Sequence, residues 1–211
     1  MRPTLCALLL LALAVAPAAS ARAATPVTTE RVVLAGGCFW GMQLVFENVR
    51  GVQSAVAGYA GGNAGTAQYE TVSTGATGHA ESVEVVYDPA KISFKQLLDV
   101  YFLVAHDPTE LNRQGPDEGT QYRSEIFYTT ASQRSEALGY IVNLDRKKVY
   151  PSKVVTIVAP LRGFYKAEAY HQDYAVHNPQ SPYIAVNDLP KLQRLREKYP
   201  ELVKPNAPTF Q

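Results

Sequence analysis

Apolar and polar positions alternate along the chain in two periods, and the switches between them mark the elements. Arg31 to Ala35 (RVVLA) is apolar and β-branched, which predicts a strand. From Phe39 onward the apolar residues fall at Phe39, Met42, Val45, Phe46 and Val49, one face of a helix. Gly51 to Tyr59 reads as extended, and Gly58, Gly61, Gly62 and Gly65 then mark a long flexible loop. Ala80 to Tyr87 (AESVEVVY) alternates and stops at Asp88-Pro89, the pattern of a strand. Ser93 is placed to cap a helix running from Phe94 to Ala105. The polar stretch Asp107 to Tyr122 is a loop too long to be idle. Beyond it, Ser124 to Thr130 predicts a strand and Ser132 to Arg146 a helix. Val154 to Ala159 predicts a further strand and Glu168 to His177 a short helix. The tail carries Pro200, Pro205 and Pro208 and reads as loosely draped. The order β-α-β-β-α-β-α-β predicts an α/β fold with a mixed sheet and helices on one face. That is a two-layer sandwich of ferredoxin-like type.

Composition supplies the core for one domain, with 46% hydrophobic and 18% charged residues. A net charge of +1 and the lack of a long basic block argue against nucleic acid as a partner. The N-terminus changes the picture more. Arg2, the apolar run Leu5 to Ala16, Pro17 and then Ala21-Arg22-Ala23 read as a signal peptide over residues 1–23. The run is shorter than the roughly 20 residues a membrane span needs. The expectation is a periplasmic or secreted protein, free of the membrane after cleavage, whose residues 24–211 form one domain.

Cleavage removes Cys6 and leaves Cys38 as the one thiol. Export permits disulfides, yet the mature chain cannot form one internally. Cys38 sits in Gly36-Gly37-Cys38-Phe39-Trp40-Gly41, where the first strand hands over to the first helix. A helix N-terminus offers free N–H groups and partial positive charge that favour a thiolate. A buried cysteine acting as a small hydrophobe is the competing explanation. Neither HxxxH nor CxxC spacing occurs, so no metal is expected.

The block around Cys38 resembles the signature of the A-type peptide methionine sulfoxide reductases. Further segments follow in that family's order: Gly58-Tyr59-Ala60-Gly61-Gly62, Thr77-Gly78-His79-Ala80-Glu81 and Asp107-Pro108-Thr109. Then come Asn112 to Asp117, Gly119 to Ser124, Ala167-Glu168 and His171-Gln172-Asp173-Tyr174, so that the resemblance runs from Val32 to Tyr183. It implies that Cys38 attacks the sulfoxide sulfur, and that Glu81, with a carboxyl pKa raised by burial, protonates the oxygen. Tyr69 and Tyr122 would donate hydrogen bonds to that oxygen, and Asp117 would position the network or a water. Phe39 and Trp40 would wall the methionine methyl group, and the S epimer would be preferred. His79 is expected at a strand edge and His171 packed from a helix into the core, both structural. Glu84, on the same strand as Glu81, is expected to face solvent.

One departure matters. Many family members carry resolving cysteines, and Gln193 to Gln211 contains none; Ser73 stands where some relatives have one. No cofactor is implied, but an external thiol is: a thioredoxin-like protein, glutaredoxin or a small thiol. Substrates would be oxidised proteins, peptides or free methionine sulfoxide. Two other classes stay open. One is a cysteine–histidine hydrolase or acyl transferase using Cys38, His79 or His171, and Asp117. The other is a non-enzymatic module displaying a Phe39–Trp40 cleft.

Overall fold

Six strands form one mixed sheet, seen here in a computed structural model that describes residues 28–210. The leader assigned to residues 1–23 lies outside the described residues. In chain order the elements are β1 (Glu30–Gly36), α1 (Phe39–Glu47), β2 (Val52–Ala60), α2 (Tyr69–Val72), β3 (Ala80–Tyr87) and α3 (Phe94–Val100). A small hairpin of β4 (Arg113–Gln114) and β5 (Asp117–Glu118) follows. Then come β6 (Ser124–Tyr128), α4 (Ala131–Arg146), β7 (Ile157–Pro160), β8 (Phe164–Lys166), α5 (Tyr174–His177) and α6 (Leu189–Lys198).

The sheet order is β7-β6-β1-β3-β2-β8. Its middle, β6-β1-β3-β2, is antiparallel, with α1 and α3 supplying the crossovers, which is the expected ferredoxin-like arrangement. β7 extends one side, parallel to β6, and β8 extends the other, antiparallel to β2. Strand alternation sorts the core. Val32, Leu34, Val83, Val85, Ala57 and Tyr59 face the helices in the main cluster. Val33, Ala35, Ala60, Ala80 and Phe127 form a smaller cluster on the other face, under Ala159, Leu161 and Phe164. α1 is buried on its outer side too, because α6 packs Leu192 and Leu195 over it.

Several boundaries differ from the sequence pattern, each for a local reason. The glycine-marked stretch is structured: Asn63 caps a 3₁₀ turn at Ala64–Thr66, and α2 follows. The Ser93 cap is a full capping box with Gln96, but the α-helix it opens ends at Val100 and widens into a π turn over Tyr101–Ala105. β7 starts at Ile157, because the Val154 and Val155 amides are taken by Asp145 Oδ1 and the Pro108 carbonyl.

The helix expected over Glu168 to His177 is broken, with a 3₁₀ turn at Ala169–His171 and α5 separated by Gln172 and Asp173. Gln172 accepts from the Ala57 N–H and donates to the Ala57 and Ala167 carbonyls, so it serves as a strand partner and holds the chain extended. Asp173 turns left-handed (φ 54°) and bonds to buried Gln43.

The tail is not loosely draped. α6 leads into a 3₁₀ turn at Pro200–Leu202, Leu202 is buried, and the Lys204 N–H donates to the Asn48 carbonyl. Pro200 opens that turn, where its missing N–H costs nothing.

Candidate active site

Cys38 is the N-cap of α1 and is almost buried, at 8% exposure. Gly37 adopts φ 90°, and a Cβ there would lie 2.6 Å from the Gln114 side chain, so only glycine lets the turn pass. The first amide of the helix, Phe39 N–H, donates to Glu81 Oε2 at 3.0 Å. Glu81 reaches this point from β3, which lies beside β1 in the sheet. It is 2% exposed, and burial pushes its carboxyl up to about 8. The Phe39 amide and the nearby Cys38 thiol pull the other way and do not win.

The thiol departs from the expectation that a helix N-terminus favours a thiolate. Burial pushes Cys38 well above the ordinary range, and the nearby charges of Glu81 and Asp188 add to it. The Trp40 amide and Lys191 act in the opposite direction and lose. At neutral pH both groups of the Cys38–Glu81 pair carry their protons.

The remaining expected residues converge on this pair to different degrees. Tyr69 opens α2, and its N–H donates to Glu168 Oε1 at 2.9 Å; the other oxygen of Glu168 accepts from Tyr59 at 2.8 Å. Tyr122 closes the 3₁₀ turn Thr120–Tyr122. Burial raises both phenols, and the charge of Glu81 is the next cause in each. Asp117, on β5, accepts from the Tyr183 hydroxyl. Burial raises its carboxyl, and the Tyr183 bond opposes this.

Phe39 is buried, and its ring lies 4.9 Å from that of His171. Trp40 stacks on Tyr174 at 3.9 Å, stands edge-on to Tyr183, and donates its indole N–H to His171 Nδ1. Glu84 is partly exposed and pairs with Arg31 at 3.1 Å, away from the site.

The two histidines weighed as a base hold their acceptor nitrogens elsewhere, although Nε2 of His171 is buried with no partner among the described residues. His171 is 1% exposed and its Nδ1 accepts from Trp40. His79 is equally buried, takes the Gly62 N–H at Nδ1 and bonds the Asn63 carbonyl through Nε2. Neither has an acceptor nitrogen left for the Cys38 thiol, which removes the base that a cysteine–histidine hydrolase needs.

Four residues at the site were not singled out from sequence: Glu168, Tyr183, Asp188 and Lys191. Glu168 lay in a quoted motif, and Tyr183 closed the resemblance. Asp188 is fully buried, pairs with Lys191 Nζ at 3.0 Å, and presses on α1 where a Cβ on Gly41 would sit 2.0 Å from Asp188 Oδ1. The signal for Asp188 and Lys191 was the spacing Leu189, Leu192, Leu195, an amphipathic helix that starts beside Asp188.

Comparison with known proteins agrees with the geometry. Residues 30–202 match the family model described as peptide methionine sulfoxide reductase. The peptide methionine sulfoxide reductase MsrA 2 of Mesorhizobium japonicum is 55% identical over 82% of this chain and 89% of its own. The MsrA 2 of Synechocystis sp. is 50% identical over 83% of this chain and 82% of its own. Among solved structures, reduced Mxr1 from Saccharomyces cerevisiae superposes with a TM-score of 0.67 at 34% identity, covering 74% of this chain and 90% of that one. Methionine sulfoxide reductase A of Corynebacterium diphtheriae gives 0.64 at 35% identity, over 74% and 78% of the two chains. With the thiol, the buried carboxyl and the aromatic walls in place, the chain belongs to the A-type peptide methionine sulfoxide reductases and is an oxidoreductase of that family.

Proposed function

We propose that Cys38 reduces methionine-(S)-sulfoxide in oxidised proteins, peptides or the free amino acid, with Glu81 as its proton partner. The observation that carries this reading is the Glu81 carboxyl, 2% exposed and held at 3.0 Å by the Phe39 N–H next to Cys38, where burial raises it to about 8. Sulfoxide reduction needs a nucleophilic sulfur and a proton on the departing oxygen at once. Glu81 delivers its proton to the sulfoxide oxygen and takes the thiol proton as Cys38 attacks sulfur. The S–O bond of the substrate breaks and an S–O bond forms on Cys38. Methionine leaves reduced by two electrons, and Cys38 is oxidised to the sulfenic acid. Tyr69 and Tyr122 donate to the oxygen as neutral phenols, and Phe39 and Trp40 hold the S-methyl group by sulfur–aromatic contact. Asp117, fixed by Tyr183, positions this network.

The catalytic cycle closes with an external thiol, because residues 24–211 contain no second cysteine. Single turnover of wild-type protein without reductant should release one equivalent of methionine. Mass spectrometry should then show one added oxygen and no loss of two protons. Cys38→Ser should release nothing; normal methionine release by this variant would overturn the reading. Export remains part of the proposal on the leader alone, and N-terminal sequencing of secreted material should begin at Ala24.

A further inference from the structure

A cavity of about 450 Å³ opens onto Cys38 from the α6 side. That volume lies within the roughly 300–1,000 Å³ of small-molecule sites. Phe39, Trp40, Tyr69, Tyr122 and Glu81 do not line it, so it approaches the sulfur by a different wall from the aromatic cage. Its floor carries Lys191, Arg194 and Lys198, spaced three and four apart on one face of α6. Arg194 Nη1 donates to the Val104 carbonyl at 2.9 Å and Lys198 Nζ to the Leu103 carbonyl at 3.2 Å. Each bond orients its side chain and leaves further N–H donors free.

Two carboxylates share the lining. Asp107 is turned onto the Thr109 amide and hydroxyl, and Asp117 is held by Tyr183. Lys191 is paired with Asp188 behind the wall. Among the described residues, Arg194 and Lys198 are therefore exposed cations of the lining with no acidic partner, on the same helix as Lys191, in a groove that also reaches Cys38.

We infer that this groove binds the reductant, a small thiol bearing carboxylates, with its carboxylates on Arg194 and Lys198 and its sulfur at Cys38. The inference rests on the reductase reading above. The thiol attacks the sulfenic sulfur, forming a mixed disulfide and expelling the hydroxyl as water with the thiol proton. A second thiol then attacks the mixed disulfide, restores Cys38 and leaves the reductant as its disulfide. Two thiols are oxidised by two electrons in total, matching the two gained by Cys38.

The test measures reduction of pre-formed sulfenate by glutathione (anionic), 2-mercaptoethanol (neutral) and cysteamine (cationic), each rate expressed per thiolate. Glutathione should lead cysteamine by roughly 10-fold at low salt, and the lead should shrink in about 0.5 M salt. Lys198→Glu and Arg194→Gln should each cut the ratio of the glutathione to the 2-mercaptoethanol rate by about 5-fold. Arg134→Glu, an exposed change of the same charge outside the cavity, should keep the wild-type ratio. Equal rates for the three thiols, a ratio indifferent to Lys198→Glu, or reduction by a glutaredoxin with none by free glutathione would each overturn the inference. Methionine release in the preceding oxidative step is scored separately, so a failure there belongs to the reductase reading alone.

Discussion

Two buried carboxyls flank Cys38, and their surroundings give them opposite work. Glu81 has a backbone amide and the thiol for company and, among the described residues, no cation, so burial prevails and its proton stays on to about 8. Asp188 is buried as deeply, and burial raises it too, but Lys191 stands 3.0 Å away and opposes the shift by charge and by hydrogen bond. Near the sulfur there is thus a buried acid with its proton on, the one that moves in the proposed mechanism, and a carboxyl that is also raised by burial but held in a salt bridge by Lys191. A carboxyl's role at this site is set by the partner it meets, not by its burial.

Removing the movable proton should have the largest effect. Glu81→Gln keeps an acceptor for the Phe39 amide but cannot exchange a proton. It should slow single-turnover methionine release by about 10²–10⁴-fold. In the wild type that step should decline as pH rises through about 8, and the decline should vanish in the variant. The same change should stabilise the fold. A carboxyl raised in the folded state is protonated there at pH values where the unfolded chain has already lost the proton. Its contribution to stability therefore falls as pH rises from 4.5 to about 8. Thermal melts should show Glu81→Gln gaining on wild type across that window, by an amount of order 4 kcal/mol at its upper end. A melting difference that is flat with pH would mean that Glu81 is not buried as a neutral acid.

Asp188→Asn should come next. It strands Lys191 in a mostly buried place and should cost about 3 kcal/mol of stability. It also removes a negative charge facing Cys38 while leaving the positive one, so the pH midpoint of iodoacetamide alkylation should move down. A midpoint that stays put or rises would end the contrast between the two carboxyls. Smallest are the phenols. Tyr69→Phe and Tyr122→Phe should each lower the single-turnover rate by roughly 5- to 10-fold, the worth of one hydrogen bond. The double variant should lose at least the product, since both serve one oxygen.

Much of the Glu81 side was legible in sequence. Period-two alternation puts Glu81 on the same face as Val83, Val85 and Tyr87, and Glu84 on the other; the burial of the first and the Arg31 pairing of the second follow that pattern. The strand-to-helix turn at Cys38 was equally local. The Asp188 side was not, because its reasons are distant in the chain. Gln172 breaks a helical run to pair with Ala57, 115 residues away. The proline-bearing tail docks because Val203 bridges Val49. Short-range propensity records neither partner. The thiolate expectation for Cys38 failed likewise: helix-end amides are visible in a sequence, whereas the depth of burial that outweighs them is not.

The indole of Trp40 has a use beyond packing. It belongs to the single tryptophan of the chain, lies flat on Tyr174 and is tethered to His171 beside the reacting sulfur. Its emission therefore reports from one address. A sulfoxide entering the cage, and methionine leaving it, would each change the quenching of that one fluorophore, so stopped-flow fluorescence can time the oxidative step in unlabelled protein.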